Sequence, residues 1–341
     1  MAKSGKFIQG AALFGLALMS STQKSTALEE VTDFGSNPGE LKAYVHRPEN
    51  APPGMPLVVA MHGCTQNAES FARETGLISL SEETPFLLLL PQQNRGNMER
   101  LCFRWHDSGD NRPGRGESAS LLQIIETVTA AEDVDPEKVF VMGLSAGAGM
   151  TAVLLANYPD RFSGGAMIAG PPYNCNQPGS IWDMPWRWIH YNPFSLDGAD
   201  AAYACGLFTS VTTDRDPEDW ARFVFNAAET VPDNWPVLSI WQGDADQVVD
   251  PDNLEEMTEQ WTAVHDIDLV VDDEQTVGQA TRRLYQDDAG KTLVEAWDVS
   301  DLGHSVPVDV DGSATCGQVA EHTENVGLCS VRLIADFWGL R

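Results

Sequence analysis

The chain has 341 residues without a break in composition, which favours one large α/β domain over two small ones. Its 50 acidic residues outnumber its 21 basic residues, so the formal net charge is −29. A surface this acidic repels nucleic acids and anionic membranes, and neither is expected as a partner.

The N-terminal segment, residues 1–27, has the pattern of a secretory signal peptide. Lys3 and Lys6 precede a short apolar stretch, and small residues follow it up to Ala27. An uncleaved membrane anchor is the alternative, because the cleavage motif is matched only loosely. Removal of residues 1–27 takes away three lysines and no acid, which leaves a charge of −32. No later segment is long and apolar enough to cross a bilayer, so we expect a secreted protein, extracellular or periplasmic, with no membrane contact once the signal is removed.

Strand and helix patterns alternate in the first half of the chain. Residues 57–61 are an apolar run typical of a buried strand, and the loop after them begins with His62, Gly63 and Cys64. Residues 117–135 have an amphipathic helical pattern, and residues 138–143 read as the next buried strand. This alternation predicts a mostly parallel sheet with helices on both faces.

Residues 143–147 read GLSAG and lie between that strand and a helix pattern that stops near Pro159. A strand, a sharp turn and a helix in this order form a nucleophile elbow, in which glycines let the strand and helix approach closely. The N-terminus of the helix then directs free amides toward a developing oxyanion. Ser145 is therefore the candidate nucleophile. The alternative is a glycine-rich turn without chemistry.

A nucleophilic serine needs a histidine base and an acid, which in such folds follow it in the order acid, then histidine. Residues 237–241 predict a strand, and the turn after it offers three carboxylates, Asp244, Asp246 and Asp250. Residues 293–299 predict a later strand, followed by His304 in a Gly-His turn. His304 is the candidate base, and a lone surface histidine is the alternative. Three other downstream histidines lack this position just after a strand; they are His190, His265 and His322.

The oxyanion hole requires one amide after the nucleophile and a second from the loop after an earlier strand. We expect these donors to be the backbone amides of Ala146 and Cys64, with Thr65 as the next candidate and as a substrate contact. His62 is expected to shape the loop from beneath and not to act as a second base.

A loop-rich insert, about residues 171–235, separates the predicted strand at residues 164–169 from the strand at residues 237–241. It is rich in aromatic residues, namely Trp182, Trp186, Trp188 and Tyr191. Inserts at this point commonly cover the active-site end of such a sheet, so one interpretation is that these aromatics line a substrate groove. The other is that they pack the core of a small cap.

Six cysteines in an exported chain suggest disulfides, and six allow fifteen connectivities. No Cys-x-x-Cys pair points to a zinc site. Residues 244–252 lack the glycine and the terminal glutamate of a calcium loop. We therefore expect no metal.

Seven segments together resemble the secreted polyhydroxybutyrate-depolymerase-type esterases, which overlap with the feruloyl and acetylxylan esterases of carbohydrate esterase family one. In the family's order, from about Leu41 to the end of the chain, they read HGCTQN, CFRWHDSGDNRPGRGES, VFVMGLSAGAGMTAVLLANYPDRF, AGPPYNC, VLSIWQGDADQVVDPDN, LGHSVPVD and GLCSVRLIADFWGL. The resemblance implies a single α/β-hydrolase domain over residues 28–341 that hydrolyses carboxylic esters without a cofactor.

The resemblance also implies individual roles, with Ser145 as nucleophile, Asp246 as acid and His304 as base. Asp246 is preferred over Asp244 because GDADQVV matches the family's Gly-x-Ala-Asp-x-x-Val turn. The implied disulfides are Cys64–Cys102, Cys175–Cys205 and Cys316–Cys329. Gln242 departs from the family, which often has histidine there, and the insert is richer in aromatics than expected. Both departures leave the acyl and alcohol specificity open.

These observations predict a secreted serine carboxylesterase. Uncharged or weakly charged esters suit the acidic surface best, including hydroxyalkanoate polymers and plant cell-wall esters. The alternatives are a serine peptidase on the same fold and a non-catalytic polymer-binding protein. The sequence leaves the oligomeric state open.

Overall fold

The computed structural model describes Met1 and residues 28–177, 204–208, 214–312 and 315–341. The predicted signal peptide, apart from Met1, lies outside these residues, and so do the aromatic residues Trp182, Trp186, Trp188 and Tyr191 of the insert. Ten strands of the described part form one sheet; they are β1 (Glu29–Glu30), β2 (Lys42–His46), β3 (Met55–Met61), β4 (Leu87–Gln92), β5 (Val134–Leu144), β6 (Gly164–Ile168), β7 (Val237–Gly243), β8 (Asp273–Val277), β9 (Ala280–Gln286) and β10 (Thr292–Val299).

The order of strands in the sheet is β1-β2-β4-β3-β5-β6-β7-β10-β9-β8. The six central strands from β4 to β10 are parallel, and both edges are antiparallel. In the centre, Val141 of β5 lies between Val59 of β3 and Gly165 of β6. The predicted mostly parallel sheet is therefore confirmed. The antiparallel hairpin of β8 and β9 was not predicted.

Seven α-helices occur in the described residues; they are α1 (Ala68–Glu74), α2 (Leu77–Glu83), α3 (Gly116–Ala131), α4 (Ala146–Asn157), α5 (Pro217–Ala227), α6 (Asn253–Val264) and α7 (Ser330–Phe337). They cover both faces of the sheet because alternate residues of each buried strand point to opposite sides. In β3, Leu57 and Val59 join the core formed with α3, α4, α5 and α6, whereas Val58 and Ala60 join the core formed with α1, α2 and α7.

A separate pair of short strands, β11 (Val306–Val308) and β12 (Thr323–Asn325), lies near the C-terminus and is parallel. Three disulfides cross-link the chain, Cys64–Cys102, Cys175–Cys205 and Cys316–Cys329, which are the pairs that the resemblance implies. In the part of the chain that the structure describes, no helix combines the length and the apolar character needed to cross a membrane.

The parallel strands bring the predicted site residues to one edge of the sheet. Cys64 follows β3, Ser145 follows β5, Asp246 follows β7 and His304 follows β10. Carboxyl ends of parallel strands meet at a common edge, which is where open α/β sheets form their sites.

Candidate active site

Ser145 occupies a strained turn between β5 and α4. Its backbone angles are φ 57° and ψ −119°, a region that side chains other than glycine rarely adopt. The turn is held from both sides, because the Ser145 amide donates to the Ile168 carbonyl at 2.9 Å and the Ser145 carbonyl accepts from the Gly149 amide at 2.9 Å. This is the sharp connection that presents a side chain at the edge of the sheet.

The glycines on either side of Ser145 permit a backbone approach that no larger residue would allow. A Cβ on Gly147 would lie 2.3 Å from the Met61 carbonyl oxygen, and a Cβ on Gly143 would lie 2.3 Å from the Gly147 carbonyl carbon. The first turn of α4 therefore packs directly on the end of β3. This contact places the loop after β3 beside Ser145.

His304 and Asp246 are joined by a hydrogen bond of 2.7 Å between Nδ1 and Oδ2. The side chain of Asp246 is fully buried, and that of His304 is 13% exposed. The other carboxylate oxygen, Oδ1, accepts from the amides of Val248 at 2.7 Å and Val249 at 3.0 Å. Burial by itself raises the pKa of Asp246, but the bonds from His304 and the two amides outweigh it and lower the pKa below its usual value. Asp246 is thus ionised at neutral pH, and its bond fixes the imidazole with Nε2 turned away from the acid.

The neighbouring carboxylates have other partners. Asp244 accepts a bond of 2.7 Å from the amide of Asp301, and Asp250 accepts one of 3.1 Å from the amide of Asp252. Of the three carboxylates that the sequence leaves open, Asp246 alone contacts His304 in the described residues.

Gln242, at the end of β7, is a further contact of Asp246. Its Nε2 donates to Asp246 Oδ2 at 3.1 Å, the oxygen that also faces His304, and to the Val249 carbonyl at 3.3 Å. The sequence showed this residue only as a departure from the family pattern. In this chain the glutamine amide supplies a donor to the buried carboxylate.

The loop after β3 leaves one of its two candidate amides free. The Thr65 amide, the reserve candidate, donates to the Arg100 carbonyl at 2.6 Å and is therefore already engaged. The Cys64 amide has no acceptor in the described part of the chain. The Ala146 amide is the first of α4 and has no acceptor within the helix. Cys64 and Ala146 are thus the available pair.

His62 is completely buried beneath this loop. Its Nδ1 donates to the Gly63 carbonyl at 2.7 Å, and its Nε2 accepts from the Gln93 amide at 3.2 Å. Burial lowers the pKa of His62 to about 4, so the ring is neutral at neutral pH. His62 therefore shapes the loop, as predicted, and is not positioned as a base.

One residue near the site was missed by the sequence reasoning. The Nε2 of His322 is 3.2 Å from the hydroxyl of Thr65, an exposed residue of the loop after β3. His322 lies just before the three-residue strand β12, so no run of apolar residues marks its position. The other predicted substrate contacts, Trp182, Trp186 and Trp188, lie outside the described residues.

Comparisons with known proteins show the family and the fold. The family model described as esterase PHB depolymerase matches residues 42–202. The chain is 35% identical to poly(3-hydroxyalkanoate) depolymerase C of Paucimonas lemoignei, over 95% of this chain and 73% of that protein. It is 27% identical to feruloyl esterase B of Talaromyces stipitatus, over 86% of this chain and 76% of that protein. Among solved structures, acetyl xylan esterase from Aspergillus awamori shares the fold, with a TM-score of 0.72, 22% identity, and coverage of 92% of this chain and 100% of that one.

Proposed function

The chain belongs to the PHB depolymerase esterase family and is a carboxylic ester hydrolase, and we propose that Ser145, His304 and Asp246 form its catalytic triad. The observation that carries this proposal is the 2.7 Å bond between His304 and the buried carboxylate of Asp246. The strained backbone of Ser145 at the same edge of the sheet supports the assignment.

The proposed reaction is a two-step acyl transfer. His304 Nε2 takes the proton of the Ser145 hydroxyl as the serine oxygen attacks the ester carbonyl. Asp246 holds the imidazole in the tautomer with Nε2 unprotonated and stabilises the imidazolium that forms. The imidazolium then gives its proton to the leaving alcohol. Water releases the acyl group from Ser145 by the same route.

The developing oxyanion needs preorganised donors, and we assign them to the Cys64 and Ala146 amides. Within the described residues neither amide has an acceptor, whereas the Thr65 amide is bonded to Arg100. Removal of one such donor typically lowers kcat by about 10²–10³-fold. The hydrogen bonds around Cys64 are therefore part of the proposed machinery.

For the substrate we propose an uncharged ester, and we rank hydroxyalkanoate esters first. The relative from Paucimonas lemoignei is a depolymerase of poly(3-hydroxyalkanoate) by name and aligns with 95% of this chain. The net charge of −29 also disfavours anionic substrates. Cell-wall esters are the second class, because other relatives are named feruloyl and acetylxylan esterases.

The test is a hydrolysis panel of polyhydroxybutyrate, methyl ferulate, acetylated xylan and short p-nitrophenyl esters, with a p-nitroanilide as the amide control. Wild type and Ser145→Ala are assayed side by side. We expect hydrolysis of the p-nitrophenyl esters and of polyhydroxybutyrate by wild type alone. A preference for ferulate or acetylxylan would assign the protein to cell-wall esters in place of hydroxyalkanoate esters. Cleavage of the amide at the rate of the ester would favour a peptidase.

We also propose that the protein is secreted and that residues 28–341 form one catalytic domain. The leader pattern and the three disulfides support export, since disulfides persist in oxidising compartments. Mass spectrometry of exported protein should find an N-terminus near Leu28 and no free thiol. Free Cys64 in fully active protein would contradict the Cys64–Cys102 disulfide and the argument for export that rests on it.

A further inference from the structure

His322 joins two loops that meet at the proposed site. Its carbonyl accepts from the amide of Val306, which follows His304 by two positions and begins β11. On its other side, its ring contacts the Thr65 hydroxyl at 3.2 Å. The Cys316–Cys329 disulfide cross-links the segment that carries His322. Through its backbone carbonyl and its ring, this one residue bridges the loop of the proposed base and the loop of the proposed oxyanion donor.

Thr65 has a backbone conformation that needs such support. Its φ is 67°, and left-handed geometry is unusual for a β-branched residue. Strain of this kind persists only where the surroundings hold it. The Thr65 amide is held by the Arg100 carbonyl at 2.6 Å, and its hydroxyl donates to the Cys64 carbonyl at 2.6 Å. The preceding residue, Cys64, is anchored to Cys102.

The direction of these hydrogen bonds follows from the donors available. The Thr65 hydroxyl has one proton, which goes to the Cys64 carbonyl, so the Thr65 oxygen accepts from His322 Nε2–H. Burial lowers the pKa of His322; Glu321 opposes this and nearby His304 adds to it. The ring is therefore neutral at neutral pH and adds no positive charge beside His304, which must itself become charged during the reaction.

We propose that His322 is a positioning residue for catalysis, acting through Thr65 to keep the Cys64 amide aimed at the substrate oxyanion. The chain of contacts is His322 Nε2–H to Thr65 Oγ1, then Thr65 O–H to Cys64 O. This inference rests on the proposed function, because it assigns a purpose to the oxyanion loop. His322 itself makes no bond to the reacting atoms.

The experiment measures kcat and KM on p-nitrophenyl acetate for His322→Ala, His322→Gln and Thr65→Val, with thermal unfolding of each variant. Misplacement of one oxyanion donor should lower kcat by roughly 10- to 100-fold with KM nearly unchanged. The glutamine amide can replace the Nε2–H donor, so His322→Gln should recover much of the loss. The matched control is Val319→Ala, on the same segment and 63% exposed, which should behave as wild type.

Two further readouts separate positioning from a general structural role. The affinity for a trifluoromethyl ketone, which forms an oxyanion on the enzyme, should fall in parallel with kcat. The double variant His322→Ala/Thr65→Val should have a kcat no lower than that of either single variant, because both substitutions break the same chain of hydrogen bonds. If His322→Ala does not fold, Thr65→Val tests the same path.

The proposal is overturned if His322→Ala and Thr65→Val keep wild-type kcat, or if their effects simply multiply. It is also overturned if His322→Ala leaves kcat unchanged and raises KM more for larger esters than for smaller ones, since His322 would then contact substrate. These outcomes compare kcat and KM of variants that still hydrolyse the ester with those of wild type. Failure of the proposed triad would instead appear as full activity of Ser145→Ala.

Discussion

Replacement of Asp246 by asparagine changes one atom of the proposed triad and should nearly abolish hydrolysis. The carboxylate receives four N–H donors in the structure. Oδ2 faces His304 Nδ1 at 2.7 Å and Gln242 Nε2 at 3.1 Å, and Oδ1 faces the amides of Val248 and Val249 at 2.7 and 3.0 Å. An asparagine offers one acceptor oxygen and one donor NH₂, so it must turn its NH₂ toward one of these two pairs.

The two orientations differ in cost. With NH₂ toward Val248 and Val249, one part-buried and one buried backbone donor lose their acceptor, at about 1–3 kcal/mol each. With NH₂ toward His304, the ring can switch tautomer and accept at Nδ1, so only the Gln242 bond is lost. The second orientation is therefore favoured by about 1–3 kcal/mol. It places the ring proton on Nε2, where His304 cannot accept the serine proton.

The expected loss in kcat is about 10⁴-fold, the size known for the equivalent substitution in serine proteases. The assay is p-nitrophenyl acetate hydrolysis, with unfolding measured on the same samples. Asp244→Asn is the matched control, because it lies on the same turn but bonds Asp301. Asp246→Asn with more than a tenth of wild-type kcat, or a larger loss in Asp244→Asn, would contradict the assignment of Asp246 as the triad acid.

Three other predictions concern strain, ionisation and the insert. Ser145→Gly relieves the backbone strain at φ 57° and should be about 1 kcal/mol more stable to denaturant than Ser145→Ala. Both variants should lose at least about 10³-fold in kcat. Equal stability of the two variants would argue against strain at Ser145. Burial raises the pKa of Glu117 to about 7, from an ordinary pKa near 4.5. The uncharged carboxyl therefore contributes its full stability below pH 4.5, and this contribution is lost as the pH rises through 7. The free energy of unfolding of Glu117→Gln, measured relative to that of wild type, should therefore rise by roughly 3 kcal/mol between pH 4 and 8. A difference between the two proteins that does not change with pH would contradict the raised pKa. If Trp182, Trp186 and Trp188 line a groove, alanine at one of them should raise KM for a polymeric ester more than for p-nitrophenyl acetate and leave Tm unchanged. A lower Tm with equal effects on both substrates would instead favour a cap core.

The central strands could be predicted from sequence because they are largely buried on both faces and are therefore mostly apolar. The runs at residues 57–61, 138–143, 237–241 and 293–299 fall within β3, β5, β7 and β10, respectively. The edge hairpin gave no such signal. Strand β8, Asp273–Val277, is almost entirely exposed and reads DEQTV, so it has no apolar period to detect.

The candidate site could be predicted where a residue lies in the turn after a recognisable strand, as Ser145 and His304 do. The choice of Asp246 over Asp244 depended on the family resemblance, because both lie on one turn and only the folded chain brings one of them to His304. His322 had no local signal at all. It reaches Thr65 through the pairing of two three-residue strands and a contact across 257 positions of sequence, which no periodicity encodes.

Covalent labelling tests directly whether Ser145 is the nucleophile. Diethyl p-nitrophenyl phosphate transfers its diethylphosphoryl group to an activated serine oxygen and releases p-nitrophenol. We predict one diethylphosphoryl group per wild-type chain, located by peptide mass spectrometry on Ser145, with activity lost in proportion to labelling and no label on Ser145→Ala. Inactivation with the group on another residue, or full activity after Ser145 is labelled, would contradict the account.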